Sequence, residues 1–355
     1  MKSSRVTALA TVAAGVALLI AGPLIPGGER LIRNAPPDVG HVTDLALADD
    51  GSVLAGTQQG ELWRLADGVW SRVDVDLGEQ PVTALSADLS GDPAKGPIGT
   101  GGGLVNGPAG MPALKERITD EWMTENGLVV ATGEGLHMQG DGQWERALDE
   151  VYVYRLEAQT VDGTGYLHAG TIDRGVYSTR DSDPLDWRLN SDGLPTESDV
   201  FSFVVTAGGR LIAGTDRGLF WQSAPMQRWR PLETGLEGKR MLSMHLSAPD
   251  EPGVQQLWVG SDDGLWRVAL VEDAAAVRSA DDAELVQAPP DHVRFGVSWI
   301  VPLEDSVLFS AGSVYQYGPM GLRGWVWISA AGVLLILLGG WLFPGRETQQ
   351  AASSR

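Results

Sequence analysis

Ala213-Gly214-Thr215-Asp216-Arg217-Gly218-Leu219-Phe220 is the phrase on which the fold of this 355-residue chain turns. It recurs as Ala55-Gly56-Thr57-Gln58-Gln59-Gly60, as Ala169-Gly170-Thr171 with Gly175, and as Val259-Gly260-Ser261-Asp262-Asp263-Gly264. Looser copies are Ile98-Gly99-Thr100 with Gly103, Val130-Ala131-Thr132 with Gly135, and Ala311-Gly312-Ser313, which lacks the second glycine. The Thr or Ser of the seven copies, at 57, 100, 132, 171, 215, 261 and 313, are separated by 43, 32, 39, 44, 46 and 52 residues. A period of about 40 to 50 residues is that of a propeller blade. Helical solenoids share it, but these units are short β-rich runs joined by glycine turns, with little helical periodicity. The fold expected is all-β: a seven-bladed β-propeller.

Within a unit the pattern gives four strands. In blade five they are expected at Val200 to Ala207, Arg210 to Thr215, Leu219 to Ala224 and Arg228 to Glu233. Blade one repeats the plan from His41 to Val75, with Asp50-Gly51 and Asp67-Gly68 as hairpin turns. The small Ala-Gly pair lets neighbouring backbones approach, and the second glycine supplies a positive φ in the turn. The apolar pairs Leu62-Trp63, Val176-Tyr177, Leu219-Phe220 and Leu265-Trp266 then fill the space between blades. Trp70, Trp144, Trp187 and Trp229 recur at the outer strand as packing residues. Blade seven has three strands before the chain leaves it, near Gly296 to Val301, Ser306 to Ser313 and Val314 to Tyr317. The stretch Glu29-Arg30-Leu31-Ile32-Arg33-Asn34, followed by Ala35-Pro36-Pro37, resembles the end of blade five and is expected to supply the fourth.

Two apolar runs flank this body. Val6 to Ile25 is uncharged and preceded by Lys2 and Arg5, as in a helix entering a membrane with its N-terminus in the cytoplasm. A cleaved signal peptide is the competing reading, but Leu19-Ile20-Ala21-Gly22-Pro23 offers no clean cleavage site. Gly324 to Phe343 is also uncharged and carries Trp325, Trp327 and Trp341 near its ends, where indoles favour the lipid interface. The organisation expected is an anchor helix over 1–28, the propeller over 29–318 with 29–34 closing blade seven, and a transmembrane helix with a short tail over 319–355. With one transmembrane α-helix at each end and the basic N-terminus inside, the propeller lies outside the cytoplasm.

The charge is concentrated in the body. Residues 26–322 hold 45 acids against 21 bases, a surface that repels phosphate backbones, so nucleic acid is not an expected partner. There is no cysteine, which removes disulfides and thiolate chemistry. The histidines, His41, His137, His168, His245 and His292, have no helical metal-site spacing. Asp181, Asp183 and Asp186 cluster, but Pro184 and the missing loop glycine and closing glutamate argue against calcium. No cofactor is expected. A nucleophile elbow and a phosphate-binding loop are both absent from the sequence.

Ala213 to Phe220 and Trp187-Arg188-Leu189-Asn190-Ser191-Asp192-Gly193-Leu194-Pro195 resemble repeats of the photosystem II assembly and stability factor propellers, and also BNR/Asp-box propellers. The similarity covers roughly residues 29 to 318 at the level of repeats. The Asp-box itself survives only as Thr179-Arg180-Asp181-Ser182-Asp183 before Trp187. The resemblance implies a propeller that binds proteins or ligands, and with the two apolar segments the function expected is that of a membrane-tethered assembly or scaffold factor. The alternative is a carbohydrate-active hydrolase of the sialidase-like propeller type, although a recognisable arginine cluster with a tyrosine nucleophile is lacking. Alternation of strand direction puts the turns between second and third strands on one face, expected to look away from the bilayer. Gln59, Gly102, Glu134, Arg174, Arg217 and Asp263 occupy those turns and form the candidate binding face.

Overall fold

The computed structural model describes residues 2–24, 26–85, 92–140, 143–247, 254–273, 275–287, 295–321 and 324–342. His292 and the tail after Pro344 lie outside the described residues. The chain divides into two compact units, Ile32–Gln316 and a second drawn from Met1–Leu31 with Tyr317–Arg355.

The first unit is built from seven antiparallel sheets. Blade one runs Val42–Leu47, Val53–Thr57, Leu62–Ala66 and Val69–Val73. Blade three (Ile118–Thr124 to Gln143–Ala147), blade four (Val153–Val161 to Asp183–Leu189) and blade five (Val200–Val205 to Arg230–Pro231) also have four strands each. Blade seven contains Trp299–Leu303, Ser306–Ala311 and Ser313–Gly321, with Pro26–Arg33 paired to the last of these. Residues from the two ends of the chain therefore share one sheet. Asn34 N donates to Val314 O at 3.0 Å, and the Asn34 side-chain amide donates to Gln316 Oε1 at 3.0 Å.

The uneven spacing of the repeats is explained by the blades themselves. Blade two has Val82–Leu85, Ile98–Thr100 and Gly103–Val105 and no fourth strand among its described residues, matching the shortest interval of 32 residues. Blade six carries two short outer segments, Val277–Ser279 and Glu284–Gln287, both paired to Gly264–Glu272, and this extra length falls in the longest interval of 52. The strands of blade five end earlier than their sequence pattern suggests, at Val205 and Gln222, because Thr206 and Ser223 begin the connecting turns.

The Ala-Gly-Thr phrase has a physical origin in this packing. A Cβ on Gly56 would stand 2.3 Å from Val82 of the next blade, and one on Gly260 would stand 2.3 Å from the Val297 carbonyl. Only hydrogen fits there. The following hydroxyl closes the turn: Thr215 Oγ1 accepts from Arg217 N at 3.0 Å and donates to Gly218 O at 2.9 Å. Thr100 and Thr132 repeat this pair of bonds at their own turns. Side-chain closure of a turn in this way is a habit of Ser and Thr. The second glycine sits at positive φ, +115° at Gly218.

Apolar cores form between successive sheets. Val42, Leu45, Val53 and Ala55 of blade one pack on Val301, Leu308 and Val314 of blade seven, and Val176 and Val200 join Phe203, Phe220 and Trp229 between blades four and five. The innermost strands touch in sequence around the ring, and Trp299–Leu303 touches Val42–Leu47, closing the circle. Their arrangement leaves a central channel.

The second unit contains helices Lys2–Ala21 and Trp325–Leu342. Gly15 and Gly332 lie at their contact, where a Cβ on Gly15 would meet the Gly332 carbonyl at 2.5 Å. Small residues permit this approach, as at other membrane helix pairs. Outward-facing Leu9, Leu334 and Trp341 are exposed, so these are not core helices.

Candidate functional site

The six turn residues singled out in the sequence occupy equivalent stations. Gln59, Gly102, Glu134, Arg174, Arg217 and Asp263 are all exposed, each between the second and third strands of its blade. These turns are braced against the connections that enter the innermost strands: Gln58 N donates to His41 O, Gly101 N to Pro81 O, Ile172 N to Tyr152 O and Asp216 N to Asp199 O. Several of the charges are locally balanced, Glu134 by Arg146, Arg217 by Asp216 and Asp263 by Lys239. At the centre of this face the channel opens through His41, Gln58, Arg117, Tyr154 and Phe295, the His41 and Phe295 rings lying 4.4 Å apart.

Deeper in the channel lies a group of charged residues that the repeat pattern does not single out. Arg155, on the inner strand of blade four, places its guanidinium 4.1 Å from the Trp299 ring centre and 3.6 Å from Asp120 Oδ1. The Asp120 carboxylate also accepts from Leu156 N at 2.7 Å and Glu121 N at 2.9 Å. Burial nonetheless pushes Asp120 up, against the pull of Arg155 and these amides.

Asp44 is 1% exposed, and both carboxyl oxygens are buried without a hydrogen-bond partner among the described residues. The backbone of Leu45 and Leu85 faces it short of full hydrogen-bonding geometry. Burial, with Asp120 adding to it and Arg155 opposing, pushes Asp44 up to about 8. Glu157 is partly exposed, but to the channel rather than to bulk water. Enclosure and the neighbouring Asp120 push it up to about 8 as well, with Arg155 opposing.

The wider part of the channel is a 570 Å³ cavity lined by Leu45, Trp122, Met123, Arg155, Glu157, Phe203, Met244, His245 and Trp299. The buried acid Asp44, which lines neither cavity, carries one sequence signal, an acid inside a strand where apolar residues are expected, as in Val42-Thr43-Asp44-Leu45.

Two other readings can be tested directly. A glycosidase needs one carboxyl held protonated beside one held ionised. Burial pushes Asp44, Asp120 and Glu157 all upward, and this shared direction does not mark one as the acid and another as the base. Among the described residues, no group of three or more His, Asp or Glu side chains could hold a metal ion. Asp183 and Asp186 fall within the outer strand of blade four, and Asp181 within the hairpin that leads to it.

No family model matches the chain, and no curated protein matches it. Solved structures do. The extracellular domain of a one-component system from B. thetaiotaomicron aligns with a TM-score of 0.60 at 14% identity, over 82% of this chain and 40% of that one. PorZ, a surface component of the type-IX secretion system of Porphyromonas gingivalis, aligns at 0.55 and 14%, over 80% of this chain and 47% of that one. YCF48 bound to D1 peptide aligns at 0.55 and 14%, over 82% of this chain and 97% of that one. This chain thus spans less than half the length of the first two. The likeness is one of fold: the chain is a seven-bladed β-propeller flanked by two helices long and apolar enough to cross a membrane, each of mean hydropathy 2.0.

Proposed function

We propose that this protein is a non-catalytic binding propeller, tethered to a membrane and presenting the ring of Gln59, Gly102, Glu134, Arg174, Arg217 and Asp263 to a partner protein. The observation that carries this reading is the repetition itself, which sets six exposed residues, five of them with polar or charged side chains, at equivalent turns around one channel mouth. Such a surface offers many shallow contacts, suited to protein recognition. An assembly or scaffold role, of the kind implied by the repeat resemblance to photosystem II assembly and stability factors, fits a binding face built on a rigid tethered body. YCF48, which shares the fold, is described as bound to a peptide, in keeping with this reading.

The test is photo-crosslinking from position 59, 134 or 217 in intact membranes, with the captured protein identified by mass spectrometry. One protein captured from several stations of the ring is the expected result. Arg174→Glu with Arg217→Glu should weaken that capture, and undiminished capture by the charge-reversed protein overturns the assignment of the face.

A further inference from the structure

We propose that the mouth of the central channel binds the carboxylate of an organic acid between Arg117, Arg155 and the Tyr154 hydroxyl. The proposal goes beyond the ring-face reading and does not depend on it.

Hydrogen-bond donors collect at this mouth without acceptors. Arg117, Tyr154 and Arg155 all line its 250 Å³ cavity. Arg117 makes no ion pair or hydrogen bond among the described residues. Arg155 approaches Asp120 only to 3.6 Å, beyond hydrogen-bonding reach, because Asp120 accepts instead from Leu156 N and Glu121 N. The Arg155 side chain is 18% exposed, and its N–H groups have no acceptor among the described residues. The Tyr154 hydroxyl likewise has no hydrogen-bond partner among them. Burial pushes Tyr154 up, with the nearby charges of Arg155 and Arg117 opposing, so the hydroxyl keeps its proton and remains a donor. Donors withdrawn from water are ordinarily hydrogen-bonded. An arriving acceptor supplies what the fold does not.

The surroundings select the kind of acceptor. No acidic side chain lines this cavity, in a protein whose net charge is −20. Asp120 and Glu157 line the wider cavity, and Asp44, which lines neither, is pushed by burial up to about 8 and adds little negative charge at neutral pH. Arg155 already shares its charge with Asp120, so the formal surplus is that of Arg117 alone. A monoanion balances it and a dianion overshoots. The planar pair of oxygens on a carboxylate matches the guanidinium fork. The rest of the wall is largely aromatic, with the His41 and Phe295 rings 4.4 Å apart and Trp299 against Arg155, a surface for an apolar stem. At 250 Å³ the cavity takes a short stem and not a long chain. The same chemistry is carried by the C-terminus or an acidic side chain of a partner protein and by a free organic acid.

The full-length protein in nanodiscs of zwitterionic lipid serves for the test, at neutral pH. Butanoate and butyramide share a stem and differ in charge. Titration followed by tryptophan fluorescence and saturation-transfer NMR should show saturable binding of butanoate and none of the amide. Arg117→Gln removes an exposed charge that has no partner in the fold, so the variant is expected to fold, and it should weaken butanoate binding about tenfold. Tyr154→Phe removes only the hydroxyl and should weaken it about threefold. Equal binding of butyramide, sulfate bound as tightly as butanoate, or butanoate affinity unchanged in both variants overturns the site. Nα-acetyl-valine and Nα-acetyl-glutamate methylamide separate the sources. Tighter binding of the first than of butanoate indicates a protein C-terminus, tighter binding of the second an acidic side chain, and equal affinity a free acid. Binding of none of the three overturns the proposal. These titrations use no partner protein, so this site and the ring face fail separately.

Discussion

Two clusters of buried polar side chains lie in the same propeller and obey opposite rules. Between blades four and five, His168 is fully buried, with Nε2 3.0 Å from Gln159 Oε1 and Nδ1 2.7 Å from Ser178 Oγ. The Gln159 amide nitrogen donates to Gly209 O at 2.7 Å, so its oxygen accepts from His168 Nε2–H and the Ser178 hydroxyl donates to Nδ1. Asn190 donates to Ser178 Oγ at 2.9 Å and to Gln222 Oε1 at 3.0 Å, and Gln222 returns a bond to Asn190 Oδ1 at 2.6 Å. These groups are neutral and mutually bonded, and burial pushes His168 down to about 3, so it stays uncharged. Around Arg155, by contrast, acids outnumber bases, and Asp44 has no hydrogen-bond partner among the described residues. A neutral, mutually satisfied network specifies packing. A buried acid left unsatisfied is instead driven towards its neutral form, and so ties stability to pH.

The largest effect that could break this contrast is at His168. His168→Leu removes the ring that joins Ser178 to Gln159 and leaves both without that partner inside the protein. A loss of about 3 kcal/mol is expected, from orphaned buried groups costing roughly 1–3 kcal/mol each. Denaturant unfolding followed by tryptophan fluorescence measures it. A loss below about 1 kcal/mol would mean that the network does not hold the two blades together.

The channel should respond to pH instead. Asp44 and Glu157 have folded values of about 8, above their ordinary carboxyl range. Folding therefore favours their protonated forms, and the stability they contribute is fully present below about pH 4 and lost as pH rises through about 8. Between about pH 5 and about pH 8.5 the propeller should lose on the order of 2 kcal/mol, a figure reduced from the full linkage to allow for relaxation around Arg155. Asp44→Asn with Glu157→Gln should flatten that slope, whereas His168→Leu should leave it in place. A slope identical in wild type and double variant would remove the distinction drawn between the two clusters.

How far each region can be read from sequence follows from the same physics. The ring is legible because its turn chemistry repeats: a glycine where the next blade leaves no space for Cβ, a hydroxyl that closes the turn, and a glycine at positive φ. These are local requirements, so they recur at a countable interval, and even the anomalous intervals of 32 and 52 correspond to a missing strand and an added one. The two clusters are not legible in this way. His168 meets Gln159 nine residues away and Ser178 ten away, but Asn190 and Gln222 come from different blades. Asp44, Asp120 and Glu157 belong to three blades and meet only because the ring closes. A surplus of acids over the whole body hides them among residues that are simply solvated.

A smaller effect is expected where a hydroxyl serves only its own turn. Thr215→Val keeps shape but leaves Arg217 N and the buried Gly218 O without their bonds to Oγ1. A loss of about 1 kcal/mol is expected, without change in pH dependence. Chemical unfolding of this variant beside His168→Leu sets an internal scale for a satisfied network against a satisfied turn.

The smallest effect on stability separates buried charge from exposed charge. Arg174 and Arg217 stand in solvent on the ring, and the Arg217 contact with Asp216, at 3.3 Å, is a surface pair that water and salt screen. Arg174→Glu with Arg217→Glu should therefore change unfolding free energy by no more than about 0.5 kcal/mol. The protein already carries a net charge of −20, so these substitutions add negative charge to a surface that tolerates it. If the same variant also loses partner capture, the ring charges act in recognition and not in folding. A stability loss of more than about 1 kcal/mol would instead make the two arginines part of the framework that braces the turns, and the contrast between a rigid body and a free binding face would have to be redrawn at blades four and five.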